Sequence, residues 1–461
     1  MDFSAANAAL WNIVIQLGMI AGAILLANFL RQKIAFIRGS LMPTAVIAGF
    51  LLLLLKHLHV LPVDNTFLEM LVYHGIALGF IAMSLRVTKK TADTGDLVGL
   101  RSGAIIVGGY LVQAVTGLVI TLALSYTFMP NLFKASGILL PMGYGQGPGQ
   151  ANNVGVTYEA LGFTGGRSFG LAIAAAGYIV ACIVGVVMLN VLAKRGAVRP
   201  KGEGKAEELD LSFFQDENEI PVSESIDKLS VQLAMVLLVY LATYLATWGL
   251  TSGIAALSEG LANTLNTLLW GFNFIIGSAL AILTRFLLEK AKNAGLIRRQ
   301  YQNNYLLNRL SGFFFDIMIV AGIASIDLQD LTGLWVPFLL LAVAGGFVTW
   351  FWLKFACKKV YGSYYYEGLI SMFGMQTGTI GSGILLLREI DPDFSTPAAN
   401  NLVVGSTFGI VLGAPILVLV GLAARSPAMC FATIGIAVAY WCVLTLVICR
   451  AGRKKKHDPE K

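Results

Sequence analysis

Residues 135–153 read Ala-Ser-Gly-Ile-Leu-Leu-Pro-Met-Gly-Tyr-Gly-Gln-Gly-Pro-Gly-Gln-Ala-Asn-Asn. The stretch starts apolar and then becomes a run of glycines and small polar side chains. It is too short to cross a bilayer, which takes about 20 apolar helical residues. A second stretch of the same kind, residues 368–383, runs Gly-Leu-Ile-Ser-Met-Phe-Gly-Met-Gln-Thr-Gly-Thr-Ile-Gly-Ser-Gly. Gly143 and Gly147 are four apart, as are Gly374 and Gly378, with Gln146 and Gln376 close by. Non-helical backbone at membrane depth is tolerated only within protein or along a watery cavity, since lipid cannot satisfy its N–H and C=O groups. Both stretches therefore read as re-entrant hairpins. Glycine allows the tight reversal and leaves backbone groups open to a ligand.

What surrounds them is membrane-spanning. The 461 residues are 56% hydrophobic and 13% charged, with a mean hydropathy of +0.73, where a soluble domain carries about 25% charged residues. The apolar residues fall into eleven blocks: residues 10–30, 41–55, 67–85, 102–128, 169–192, 231–250, 265–287, 313–326, 334–355, 402–422 and 429–449. The first block lacks a basic leader and is followed by Arg31, Lys33 and Arg38, the pattern of a retained helix with its N-terminus outside. Alternating the loops from that start puts 29 of the 33 Lys and Arg residues on the inner face, leaving Lys56, Lys134, Arg167 and Arg425 outside. That is the positive-inside rule, and it accounts for the net charge of +7 as topology, without nucleic acid.

The longest hydrophilic stretch, 194–228, holds nine acids and six bases and reads as a flexible cytoplasmic linker. The expected organisation is all-α and polytopic. A first repeat, 1–193, carries five spans and a hairpin at about 135–162. The linker follows, then a second repeat, 229–424, with a hairpin at about 364–390. An extra helix and a basic cytoplasmic tail fill 425–461. Five spans before the linker oblige the second half to insert upside down, so the hairpins dip in from opposite faces. Inverted repeats with interrupted helices at matching places are a ground plan of secondary transporters.

Ionisable or amide groups inside spans are functional candidates. Asp316 reads as a cation ligand or proton carrier, or as a helix-pairing carboxylate. His74 reads as a proton-linked site or a hydrogen-bonded structural histidine, and Gln113 as an ion or coupling residue or an interhelical bond. Asp327 and Asp330 read as solvent-facing at a helix end, Arg167 as an interfacial anchor or a lure for anions. Gly170, Gly177 and Gly185, spaced along one span, read as packing glycines. The five cysteines lack metal-ligand spacing, so no structural metal, cofactor or disulfide is expected. No P-loop or H-E-x-x-H occurs, and the chain does not read as an enzyme. A channel would also use re-entrant loops, but two unlike hairpins from opposite faces suit alternating access better.

The hairpins, together with Pro43-Thr-Ala-Val-Ile-Ala-Gly-Phe in the second span and Leu111-Val-Gln in the fourth, resemble the bacterial sodium/glutamate symporter family over most of residues 10–423. The resemblance implies sodium-coupled symport of glutamate or a related small anionic amino acid across a bacterial plasma membrane, with the C-terminus cytoplasmic. It implies substrate and sodium binding among Gly143, Gly145, Gln146, Gly147, Asn152 and Asn153, and among Gly374, Gln376, Thr377, Gly378 and Thr379. It also implies a homodimer working by an elevator motion. The same architecture carrying a dicarboxylate or hydroxycarboxylate is the alternative. The hairpin sequences, the longer linker and the eleventh span depart from the family's usual pattern.

Overall fold

The computed structural model describes the chain except residues 1, 2, 5, 36, 38–41, 88–95, 196–226, 258–268, 271–272, 298, 392–395 and 451–461. It is helical throughout, with no strand among the described residues. The first half contributes α1 (Ala8–Lys33), α2 (Thr44–His57), α3 (Asn65–Leu85), α4 (Asp96–Tyr126), the short α5 (Pro148–Ala160) and α6 (Gly166–Lys194). The second contributes α7 (Lys228–Leu257), α8 (Asn273–Asn293), α9 (Asn304–Ala324), α10 (Trp335–Val360), the short α11 (Tyr365–Thr377) and α12 (Ile380–Leu387), and α13 (Ala398–Ala423). α14 (Pro427–Arg450) follows.

A helix falls within each expected span, residues 41, 265–268 and 271–272 of those spans lying outside the described residues. Among the described residues nine are long and apolar enough to cross a membrane, namely α1, α3, α4, α6, α7, α9, α10, α13 and α14. α2 is apolar but only 14 residues long. α8 ends in a charged turn, with Lys290 and Lys292 where the helix dipole favours cations. It runs past the expected end at 287, because that polar turn continues the helix after the apolar block stops. Large apolar side chains face outward all along the spans, Leu238 at 67% exposure and Val418 at 69% among them. An apolar exterior on apolar helices is what a bilayer solvates, and the protein is membrane-embedded. Most of the linker and the basic tail lie outside the described residues.

The described chain forms two compact units whose boundaries fall within α3 and α9. Unit 1 is Met1–Glu69, Thr91–Glu203 and Ile319–Lys461; unit 2 is Met70–Lys90 and Gly204–Met318. With lipid as solvent there is no hydrophobic drive between helices, so close approach depends on small residues. In unit 2, Gly75 and Gly79 of α3 lie against Met318 and Phe315 of α9, and Ile81, Leu85, Val236, Val239, Ala281 and Leu307 fill the core. In unit 1, Gly99 and Gly103 of α4 take up Val404 and Phe408 of α13. α13 contains Pro415, whose ring interrupts the helix's own bonding, and the Tyr440 hydroxyl on α14 donates to the nearby Leu412 carbonyl.

Candidate binding site at two interrupted helices

Between α4 and α6 the chain never completes a span. A 3-10 turn at Lys134–Ile138 leads to a π-helical turn at Pro141–Gly145, and α5 starts after Gly147. Pro141 and Pro148 each lack an N–H, so helical bonding cannot run through the stretch. Gly147 takes φ 85°, ψ −178°, a backbone that only glycine adopts readily. Between α10 and α13 the same thing happens differently. α11 stops at Thr377, Gly378 and Thr379 are non-helical, and α12 begins at Ile380.

The two breaks touch. A Cβ added to Gly147 would lie 3.5 Å from Thr379 Cγ2 and 3.9 Å from the Gly378 carbonyl oxygen, ordinary van der Waals contact. Each break ends in a helix start without a side-chain cap, α5 after Gly147 and α12 after Thr379. The first N–H groups of a helix have no intrahelical partner and carry about half a positive charge together. No Lys, Arg, Asp or Glu occurs in 139–153 or 368–387, so neither stretch brings a charged side chain of its own to the contact.

Amide side chains provide the opposite polarity. The Gln113 Nε2 on α4 donates to Thr349 Oγ1 on α10 at 2.7 Å and to the Gln376 carbonyl at 3.0 Å. The Gln376 Nε2 donates to the Ile105 carbonyl at 3.2 Å. Their oxygens, Gln113 Oε1 and Gln376 Oε1, are buried without a hydrogen-bond partner, as are Gln150 Oε1, Asn152 Oδ1 and Ser382 Oγ. An unpaired buried polar atom costs about 1–3 kcal/mol. Gln113 Oε1 lies beside Gly145 of the first break and Ser382 Oγ beside Gly378 of the second, and oxygens of this kind suit a hard cation.

Of the residues expected to bind, Gly147, Gly378 and Thr379 stand at the contact itself, with Gln146 half-buried beside it. Gly145 packs on Tyr110, and a Cβ there would come within 3.0 Å of Gln113 Oε1. Asn152 and Asn153 are buried on α5. Gly143 and Gly374 instead serve packing, against Ala174 and Gly383. Thr377 donates its hydroxyl to its own helix at Phe373, and its carbonyl presses on Gly177. Gly170 and Gly185 likewise lie against Ala151 and Leu386 as packing glycines. His74 and Asp316 belong to unit 2.

Thr349, Gln150 and Ser382 were not anticipated. A signal for the first exists: Val107-Gly-Gly-Tyr on α4 is echoed by Ala344-Gly-Gly-Phe on α10. One glycine of each pair is used crosswise, while Gly108 meets Trp352 and Gly346 meets Val180. Gly109 gives room to Gln376 of the second interrupted stretch, and Gly345 to Leu140 and Tyr144 of the first.

A polar cluster lies where α6 begins. Arg167 forms an ion pair with Glu69, and its backbone N–H donates to Glu159 at 3.0 Å. Ser168 donates to Asp330 at 2.8 Å, and the Asp327 N–H donates to Ser168 at 3.1 Å. Lys56 donates to Asn65 and to the carbonyls of Ala324 and Ile326. The expectation of solvent-facing Asp327 and Asp330 is thus corrected. Both are partly buried, because Ser168 draws their loop onto α6. Burial pushes the Glu159 carboxyl up from its ordinary range, the Arg167 N–H opposes this, and Asp330 adds to it. Among the described residues no group of His, Cys, Asp and Glu is arranged to hold a metal ion.

No family model matches this chain, and no curated protein does.

Proposed function

We propose that the chain is a secondary transporter that couples inward movement of sodium to uptake of a small anionic solute, glutamate or a related acidic amino acid. The observation that carries this reading is the contact of the two interrupted stretches at Gly147 and Thr379, with two uncapped helix starts and the unpaired Gln113 oxygen beside Gly145. Backbone N–H groups at a helix start bind a carboxylate without further help. The oxygens of Gln113, Gln150, Asn152 and Gln376 offer sodium the hard ligands it prefers. A site containing both polarities, and no fixed charge of its own, binds the two ions best together.

On this reading the interrupted stretches are re-entrant hairpins from two inverted five-helix repeats, dipping in from opposite faces. The two glycine pairs support two halves of similar build, since one glycine of each pair, Gly109 and Gly345, seats the other half's hairpin. The chain sits in a bacterial plasma membrane with the C-terminus inside, and two copies work side by side by an elevator motion. Driving force is ample: one charge crossing 100 mV is worth about 2.3 kcal/mol.

The test is uptake of radiolabelled L-glutamate into proteoliposomes under an inward sodium gradient, against an equal potassium gradient. Accumulation with sodium alone is expected, with competition by excess carboxylates ranking the substrates. Equal accumulation under both gradients would rule out sodium coupling.

A further inference from the structure

Arg86 follows Leu85, the last residue of α3, where the apolar span stops. Two hydrogen bonds pin its guanidinium: Nε donates to the Met83 carbonyl at 3.0 Å, and Nη1 to Asn308 Oδ1 on α9 at 3.2 Å. Asn304, one turn earlier on α9, accepts from the Val87 N–H at 2.8 Å and donates to the Val87 carbonyl at 2.9 Å. From α8, Arg285 Nη1 donates to the Arg86 carbonyl at 2.9 Å. Three helices of unit 2 thus fix two arginines at one membrane surface.

Basic residues that only set topology reach into water on flexible stems. Arg86 does not. It is half-buried, and both acceptors it uses are neutral. Its Nη2 has no protein partner, and no carboxylate pairs with it among the described residues. Burial, and after it the Arg285 guanidinium, push the Arg86 group down to about 10, so it stays charged at neutral pH. The fold holds a cation where desolvation and a like charge both oppose it. An anion from outside the chain relieves both.

We propose that Arg86 and Arg285 hold the phosphate of an anionic membrane phospholipid at the end of the α3 span. A planar guanidinium matches the paired oxygens of a phosphate better than an ammonium does. Basic pockets between spanning helices at the membrane surface take such headgroups. Bound there, one phosphate links α3 to α8, and the Asn308 bond extends the link to α9. The site does not depend on which solute is carried.

The surroundings favour a lipid over free phosphate. Phe286, beside Arg285 on α8, is 52% exposed, and Ile282 and Leu288, one turn to either side, are part-exposed. They offer acyl chains an apolar surface next to the charges. The headgroup is anionic overall, since a choline would set a third cation beside two. One acid stands nearby on α8, the exposed Glu289, which attracts Arg285. Lys290 and Lys292 on the same last turn outweigh it, and Lys290 lies over the Phe286 ring.

The experiment is native mass spectrometry of the full-length protein released from detergent, with phosphatidylglycerol or phosphatidylcholine added at equal mole fraction. One phosphatidylglycerol should bind about tenfold tighter than phosphatidylcholine. Arg86→Gln and Arg285→Gln should each abolish that preference. Lys359→Gln, which removes an exposed cation at the end of α10, should leave it unchanged. Should one arginine variant fail to fold, the other reads the same preference, and the wild-type comparison stands without either. A large excess of inorganic phosphate should leave the lipid bound. Equal binding of the two lipids by the wild type would overturn the proposal. So would a preference kept in the folded arginine variants, one lost equally in Lys359→Gln, or displacement of the lipid by inorganic phosphate.

Discussion

Gly147 is the residue at which the site's geometry is decided. Its φ of 85° with ψ of −178° suits glycine alone, and its Cα faces Thr379 across the contact. Gly147→Ala forces a side chain into a backbone region that costs about 1–3 kcal/mol. We expect a lower melting temperature and loss of sodium-driven uptake, read by thermal unfolding and by transport on the folded fraction. Gln113→Leu removes the two bonds to Thr349 and to the Gln376 carbonyl, together with one unpaired oxygen. At least a tenfold drop in uptake is expected, equivalent to about 1.4 kcal/mol. Stability should fall less, since the unpaired oxygen goes too. Glu159 yields a prediction in pH. Burial raises its carboxyl in the folded state, so the folded protein holds that proton to higher pH than the unfolded chain does. Stability from this group therefore falls as pH rises through the raised value. Glu159→Gln should raise the melting temperature at neutral pH, and the gain should shrink on acidification through the carboxylate range. A gain that grows on acidification would reverse the assignment.

At the scale of elements, the interrupted stretches were legible because glycine and proline mark them chemically. Pro141, Gly147 and Pro148 forbid a continuous helix, and Gly374 to Gly383 dilutes the second one. The helix ends were less legible. α8 continues beyond its apolar block through Lys290 and Lys292, because charged residues are good helix formers once they reach the interface. The sequence pattern also could not tell which glycine meets a ligand and which meets a neighbour. Gly143 and Gly147 look alike as letters, yet one packs on Ala174 and the other faces Thr379. Tertiary approach makes that distinction, and spacing does not carry it. Thr349 was invisible for a similar reason: a threonine in an apolar helix gives no signal until the paired glycines of α4 and α10 are compared. The re-entrant reading makes a prediction at this scale. In a variant lacking its five native cysteines, Leu161→Cys after α5 should react with an impermeant maleimide from outside only. Ser363→Cys before α11 should react from inside only. Both positions are exposed. Labelling of both from one side would rule out hairpins of opposite origin.

At the scale of the molecule, composition decided the solvent, while charge distribution carries the proposed orientation. Neither revealed that the compact units would divide the chain inside α3 and α9. Helix packing follows which small residues oppose which large ones, and Gly75 against Met318 or Gly103 against Phe408 are pairings between distant parts of the chain. The chain order of the helices and their spatial grouping are thus separate properties, and only the first leaves a linear trace. Both interrupted stretches nevertheless fall in one unit. That is the central claim: one site, built from both breaks, binds an anion and a cation together. Coupling between two ligands is reciprocal, so sodium must tighten the anion by the factor by which the anion tightens sodium. The most direct measurement is calorimetric binding of L-glutamate to the protein in nanodiscs, in sodium and in potassium, for the wild type and for Thr379→Val and Gly147→Ala. The account predicts binding at least tenfold tighter in sodium, with that advantage lost in both variants. Glutamate binding of equal strength in both salts, or unchanged by both substitutions, would contradict it.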